Sequence, residues 1–358
     1  MPLFTAIATP GLEPVTAREL AGLGVEARIE PGGVLFEGPA TLASLAARLW
    51  TPSRLLLQIA QGRTVTLEQL AALVRGGDWR AVLSPGDAVE VTATAHHSRL
   101  HIRNAIERKV KHAVQDVVGR PREQGGATQR VSVRLDEDVA TISVDSGGEL
   151  LHRRGWRLAT AKAPLRENLA AAMLLAAGWE HDEPLLDPFC GAGTLPIEAA
   201  RMAMGLPPGQ GRSYGFQDWP SLGDRRQTPL AHERRPLRVP IVGADRDPGA
   251  IRASTENAAR ALVPVDWRHV ELSRLEAPAP VGLVATNPPY GQRVGGEDAG
   301  GAYALLGRAL RGPLAGWRAI FLAPHADLAR KVDREAQRLT VFANGGIKVG
   351  LWAVEGRG

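Results

Sequence analysis

Asp187-Pro188-Phe189-Cys190-Gly191-Ala192-Gly193-Thr194 and, about a hundred positions on, Asn287-Pro288-Pro289-Tyr290 decide how this chain of 358 residues is read. Each follows a short apolar run, 184–186 and 282–285, of the kind that forms a strand buried on both faces of a parallel sheet. Each peptide is therefore expected on a loop at a strand's carboxyl end, the edge on which open α/β sheets bind ligands.

The first peptide opens a helix expected over 195–204. Gly191 and Gly193 carry no Cβ, so the backbone there can turn tightly and approach a ligand closely. A dinucleotide fingerprint would have a third glycine at 196, where Pro196 stands, and here an acid, Asp187, precedes the loop. A diphosphate fits poorly. A cationic ligand with an amino-acid end fits better, because the helix amino terminus can take its carboxylate while Asp187 holds its ammonium. S-adenosylmethionine has those ends. A second acid, Asp245, closes a strand-like run over 237–244 and can accept both hydroxyls of a ribose. Asp247, just before Pro248, is a rival for that contact. A third acid, Glu271, follows a weaker strand over 265–270. This order of glycine loop, acid, acid and Asn-Pro-Pro-Tyr resembles that of class I methyltransferases. The resemblance implies that Phe189, Gly191, Gly193 and Thr194 line the cofactor with Asp187 and Asp245, and that Glu271, where the family usually has aspartate, meets the adenine.

The second peptide suits methyl transfer to an exocyclic amine, whose lone pair is delocalised into its ring. The Asn287 side-chain oxygen and the Pro288 carbonyl can each accept a hydrogen bond from such an amine, drawing the lone pair out of conjugation and aiming it at the sulfonium methyl. Tyr290 offers a face on which the base can stack. Neither proline has an N–H to compete for the amine, and each fixes its own φ.

Other chemistries are argued against. Methylation of a pyrimidine carbon needs a cysteine nucleophile beside the ring, and the single cysteine, Cys190, lies inside the cofactor loop as a small filler. One cysteine also excludes an internal disulfide and a cysteine-rich zinc site. His96, His97 and His101 have no carboxylate or cysteine to complete a ligand set, so no metal is expected. Nothing at the amino terminus reads as a signal peptide or membrane span, and a cytoplasmic monomer with no membrane partner is expected.

The composition is globular, 44% hydrophobic, with a net charge of +5, a pI near 9.8 and far more arginine than lysine. Arginine's planar fork suits phosphates and stacks on bases, which makes nucleic acid a natural partner, although arginine-rich codon usage would give the same bias. In the amino half, residues 3–8, a helix over 16–23, strands at 27–29 and 33–36, and 41–49 form a small α+β unit. Strands at 54–59 and 88–94, a helix over 67–74, a longer helix over 102–118 and an alternating hairpin at 131–135 and 140–144 follow. On the long helix His101, Arg103, Arg108, Lys111 and His112 supply a basic, aromatic-bearing surface. It reads either as a solvated face or as an RNA contact.

The run from Arg54 to Val144 is followed by Leu151-His152-Arg153-Arg154-Gly155-Trp156-Arg157 and Ala163-Pro164-Leu165-Arg166-Glu167-Asn168-Leu169-Ala170. Together they resemble the THUMP-containing RNA guanine-N2 methyltransferases over nearly the whole chain. The bacterial 23S rRNA enzymes of that group are the nearest in pattern: they share the insertion Pro208-Gly209-Gln210-Gly211-Arg212, leading to Tyr214-Gly215-Phe216-Gln217-Asp218-Trp219, and the motif Asn344-Gly345-Gly346-Ile347-Lys348-Val349. The resemblance implies an α/β fold, a Rossmann-like class I methyltransferase sheet preceded by α+β ferredoxin-like and THUMP domains. Its bounds would be a ferredoxin-like segment at 1–50, a THUMP RNA-binding domain at 51–155 and an S-adenosylmethionine-dependent domain at 156–358. It also implies N2-methylguanosine in 23S rRNA as the product. A tRNA guanine-N2 methyltransferase, an adenine-N6 DNA methylase and an RNA-binding assembly factor without turnover stay open as alternatives.

Overall fold

The computed structural model describes residues 1–122, 126–158, 165–222, 233–290 and 299–357, with the backbone alone at 299. Its contacts divide the chain into two compact units, one of residues 1–8, 20–151 and 211–230, the other of 9–19, 152–210 and 231–358. Ala163 and Pro164 of the motif quoted above lie outside the described residues.

The first unit is built on β1 (Leu3–Ile7), β2 (Arg28–Glu30), β3 (Gly33–Glu37), β4 (Arg54–Arg63), β5 (Ala88–His96), β6 (Thr128–Asp136) and β7 (Val139–Asp145), with helix α1 (Glu13–Gly22) divided between the units. The seven strands form one sheet in the order β2-β3-β1-β4-β7-β6-β5, antiparallel except for the β5–β6 pair. That parallel pair needs a long crossover, supplied by α3 (Arg103–Val118), which packs against β5 and against α2 (Leu67–Arg75). Helix α2 is opened by Thr66, whose side chain accepts from Gln69 N at 3.2 Å, while Gln69 Oε1 accepts from Val65 N at 2.8 Å. The buried side chains of α3 recur at helical spacing, Ile106, Val110, Ala113 and Val114, turning the charged positions outward. Glu137 and Asp138 join β6 to β7 with φ of +49° and +64°, the left-handed pair that a two-residue hairpin turn demands.

The second unit holds α4 (Glu167–Ala176), β8 (Leu185–Asp187), α5 (Thr194–Ala203), β9 (Ile241–Asp245), α6 (Pro248–Ala261), β10 (Asp266–His269), β11 (Gly282–Thr286), α7 (Ala299–Leu310), β12 (Trp317–Ala323), α8 (Ala326–Val332), β13 (Gln337–Asn344) and β14 (Ile347–Val354). Its sheet runs β10-β9-β8-β11-β12-β14-β13, parallel through β12, with β14 antiparallel to both β12 and β13. Strands buried on both faces read as unbroken apolar runs, and every residue of β8 and β11 is buried. On one face Leu186, Val242 and Val284 pack with Leu306, Trp317 and Tyr303, whose ring meets Phe321 edge-on at 6.2 Å and whose hydroxyl donates to Leu322 O at 2.7 Å. The strand order reverses at β8, whose neighbours are β9 and β11, so a crevice for a ligand opens at the carboxyl ends of these three. Among the described residues no helix is long and apolar enough to cross a membrane.

Candidate functional site

Asp187 is the last residue of β8 and is 2% exposed. Its Oδ1 accepts from Thr286 Oγ1 at 2.6 Å, across the β8–β11 pair, and from Phe189 N at 3.1 Å. Burial pushes its carboxyl up to about 7, the nearby Asp245 charge adds to the rise, and the two hydrogen bonds oppose it. Asp245 ends β9; its Oδ2 accepts from Gly191 N at 3.0 Å and its Oδ1 from Asp247 N at 2.9 Å. Among the described residues no lysine or arginine forms an ion pair with either carboxylate.

The glycine loop is tied down from three sides. Cys190 N donates to Ala244 O at 3.0 Å, Gly191 N to Asp245, and the buried Asn257 Nδ2 of α6 to Ala192 O at 3.0 Å. Gly191 and Gly193 have φ of +54° and +83°, which favours glycine at both. Gly193 has a second reason: a Cβ there would stand 2.6 Å from the Trp267 ring and 2.9 Å from Ser254 Cβ. Trp267, on β10, also overlies Gly243, where a Cβ would overlap its ring. The glycine at 193 thus makes room for an indole, beyond any approach to a ligand. Thr194 opens α5 and is buried, while Phe189 is partly buried against the core beneath the crevice. The Cys190 thiol is 6% exposed and pushed well up by burial and by the two carboxylates, so it stays protonated and unreactive at neutral pH.

Asp247 is exposed and committed elsewhere: it caps α6, accepting from Gly249 N at 2.8 Å, with Pro248 at the first helical position. Glu271 is exposed ahead of a short 3₁₀ turn at Leu272–Arg274, and Val270 N beside it donates to Asp245 O at 3.1 Å.

Asn287 directly follows β11. Its Oδ1 is buried and has no hydrogen-bond partner among the described residues. Such an atom is costly unless something else fills its lone pairs. Pro288 is buried, and Tyr290 is half-buried with its hydroxyl accepting from Asn344 Nδ2 at 2.7 Å. Burial raises the Tyr290 pKa and the Asn344 bond opposes the rise.

The edge therefore gathers Asp187, Phe189, Gly191, Gly193, Thr194 and Asp245 with Asn287, Pro288 and Tyr290. His101, Arg103, Arg108, Lys111 and His112 belong to the other unit and are all exposed, His101 just before α3 and the rest along it. The sequence pattern assigns no role to Thr286, Asn257, Trp267 or Asn344. Thr286 has a local signal, its place between the strand and Asn287, and Asn344 stands in the quoted Asn-Gly-Gly-Ile-Lys-Val motif.

A parallel sheet with this reversal, a glycine loop beside two carboxylates without a paired cation among the described residues, and an Asn-Pro-Pro-Tyr loop whose Asn287 Oδ1 has no partner among them define a class I methyltransferase. Residues 154–351 match the family described as RMKL-like, methyltransferase domain, and the chain belongs to it. Residues 3–54 match the RlmL ferredoxin-like domain and 65–145 the THUMP domain. The candidate RNA methyltransferase slr0064 of Synechocystis sp. is 31% identical over 99% of this chain and 96% of its own length. Ribosomal RNA large subunit methyltransferase K/L of Syntrophotalea carbinolica is 35% identical over 97% of this chain, which spans 53% of that longer relative. Among solved structures, SMU.472 in complex with SAH superposes with a TM-score of 0.88 at 28% identity, over 100% of this chain and 98% of the other. A Listeria monocytogenes protein described as a predicted N6-adenine-specific DNA methylase gives 0.86 at 27% identity, over 99% of this chain and 96% of the other.

Proposed function

We propose that this chain methylates the exocyclic N2 of a guanine in large-subunit ribosomal RNA, with the ferredoxin-like and THUMP segments, 1–50 and 51–155, holding the RNA and residues 156–358 carrying the chemistry. The frame of that reading follows from family and fold: the protein is an S-adenosylmethionine-dependent RNA methyltransferase. The residues present suit that cofactor. Asp187 and Asp245 are carboxylates without a paired cation among the described residues, which suits a ligand carrying an ammonium and a sulfonium. Asp187 would face the ammonium, Asp245 the ribose, and the amino end of α5 the carboxylate, with Phe189, Gly191, Gly193 and Thr194 beside them. Glu271 is the proposed adenine contact. Bound there, S-adenosylmethionine supplies an electrophilic methyl.

The observation that carries the choice of atom is the buried Oδ1 of Asn287, which has no hydrogen-bond partner among the described residues. An exocyclic amine has two hydrogens to give, and Asn287 Oδ1 with Pro288 O can accept both. Guanine N7, by contrast, already owns an in-plane lone pair and has no hydrogen to offer, so an acceptor there would be left unpaired. Tyr290 provides the stacking face. Both acceptors are amide oxygens, too weakly basic to keep a proton, so the proton lost by the amine goes to water. Adenine N6 would satisfy the same acceptors; the THUMP domain and the relatives named for ribosomal RNA favour guanine in RNA.

The test is nucleoside mass spectrometry of 23S rRNA and tRNA from a deletion strain, complemented with the natural chain or with Asn287→Leu. Loss of one N2-methylguanosine from 23S rRNA, restored by the natural chain only, is expected. A missing 7-methylguanosine or N6-methyladenosine, or a loss confined to tRNA, would overturn the assignment of atom or of RNA.

A further inference from the structure

The hydroxyl of Tyr290 is held by a residue 54 positions away, on the tip of the hairpin at the far side of the sheet. Asn344 closes β13 opposite Ile347, and Gly345 and Gly346 between them have φ of +59° and +86°. A Cβ on either glycine would meet nothing within 4 Å, so these glycines serve the turn alone. Yet Asn344, beside them, is 8% exposed and spends its amide on the Tyr290 hydroxyl at 2.7 Å. Two strands, β12 and β14, separate β13 from β11, the strand whose loop carries Tyr290. A tight turn places the amide there, and the amide pins the ring from its hydroxyl end.

Resting on the reading of Tyr290 as the stacking face for the base, we propose that Asn344 is a positioning residue for methyl transfer: its amide fixes the plane of the Tyr290 ring, and through it the base, against the acceptors Asn287 Oδ1 and Pro288 O. A phenol ring attached only through its Cβ can swing about χ1 and χ2, and a base stacked on it would swing as well. Misalignment of an amine and a methyl by a fraction of an ångström is enough to lower the rate steeply. A hydrogen bond at the ring's far end removes that freedom before the RNA arrives. The tyrosine hydroxyl is thereby part of the alignment, so phenylalanine does not replace it without loss.

The test measures transfer of labelled methyl groups from S-adenosylmethionine to 23S rRNA isolated from a deletion strain. Asn344→Ala and Tyr290→Phe are each expected to lower kcat about 10-fold, with the KM for S-adenosylmethionine unchanged, and the double variant is expected to be no worse than either single one within about twofold. Asn344→Asp keeps a partner, since the hydroxyl can donate to the carboxylate, and is expected to recover activity to within about threefold of the natural chain. A full kcat in Asn344→Ala, losses that multiply in the double variant, or an Asp variant as poor as Ala would each overturn the proposal. If Asn344→Ala does not fold, Tyr290→Phe and Asn344→Asp still decide it, a full kcat in the first or a 10-fold loss in the second refuting it. Tyr290→Ala separates the two levels: a severe loss there beside an unaffected Asn344→Ala sinks only the positioning role, whereas a fully active Tyr290→Ala sinks the stacking role itself.

Discussion

Cofactor affinity should rise with pH through the titration of one buried carboxyl, Asp187. Its pKa is pushed up to about 7, chiefly by burial, and its neighbours include the Asp245 carboxylate and the Cys190 thiol but no paired cation among the described residues. A cationic ligand binds the ionised form. With a pKa of about 7, roughly 3% of Asp187 is ionised at pH 5.5 and roughly three-quarters at pH 7.5, so the affinity should gain about 25-fold over that interval, or about 1.9 kcal/mol. The ligand-free protein should show the opposite trend. The folded pKa lies above the unfolded value of 3.8, so the folded state holds an extra proton between about 4 and 7, and stability falls as pH rises through that window. Asp187→Asn removes the titration: it should flatten the pH dependence of binding, weaken binding at pH 7.5, and raise the melting temperature of the ligand-free protein at the same pH. Glu167 is also pushed up to about 7, by burial against the pull of Arg157, so a slope in the natural chain alone is not decisive. Isothermal calorimetry with S-adenosylmethionine at pH 5.5, 6.5 and 7.5 on both proteins makes the distinction. Equal slopes in the two would refute the argument.

Asp245→Ala should weaken S-adenosylmethionine binding by about 1 to 3 kcal/mol, since it removes the proposed ribose acceptor and frees Gly191 N. Asp247→Ala should instead cost about 1 kcal/mol of stability through the missing α6 cap and leave affinity alone, and calorimetry beside thermal melting will show whether the two effects are reversed. Replacing Arg103, Arg108 and Lys111 together by alanine should reduce the salt dependence of RNA binding by about 0.7 to 0.9 in log–log slope for each phosphate no longer neutralised, while S-adenosylmethionine affinity holds; an unchanged slope in filter binding would return this surface to ordinary solvent-facing charge. Trp219→Ala should cost about 3 to 5 kcal/mol in the full chain, read by denaturant unfolding, because its ring is fully buried.

Strands 184–186 and 282–285 were legible, and the observed Leu185–Asp187 and Gly282–Thr286 differ from them by a residue, because a strand buried on both faces leaves an unbroken apolar run. The helix over 195–204, found at Thr194–Ala203, followed from the glycines before it. The strand-like run at 237–244 is longer than the strand, which begins only at Ile241: Pro240, which has no N–H to give the ladder, precedes it. What pattern could not give was partnership over distance. The hairpin at 131–135 and 140–144 is local and visible in the pattern; the parallel pairing of β5 with β6, and the joining of β1 to β7 through β4 into one sheet, depend on which strand the chain returns to, which no periodicity records even where the connecting helix α3 is itself periodic. The site divides the same way. Asp187, Asp245 and Asn287 stand at strand ends and can be read in order, whereas Trp267 against Gly193 and Asn344 on Tyr290 are chosen by packing between segments far apart in sequence.

The insertion after the glycine-loop helix shows why that distinction affects experiment. Sequence order places residues 211–222 within the methyltransferase half, yet they pack as part of the first unit. There Trp219 is fully buried and donates to Gln129 Oε1 at 3.1 Å, Gln129 Nε2 donates to Gly215 O at 3.2 Å, and the Arg212 guanidinium reaches the carbonyls of Leu150 and Glu149 at 3.0 and 2.9 Å. A fragment ending near Leu150 would lose that tryptophan and leave Gln129, 1% exposed, with unpaired amide atoms in the cavity. Failure of such a fragment to bind RNA would then report a damaged core rather than a missing RNA site. The division of labour between the two halves is therefore measured on the full chain, where exposed α3 side chains can be changed without touching the core and where a loss of RNA affinity at constant melting temperature has a single meaning.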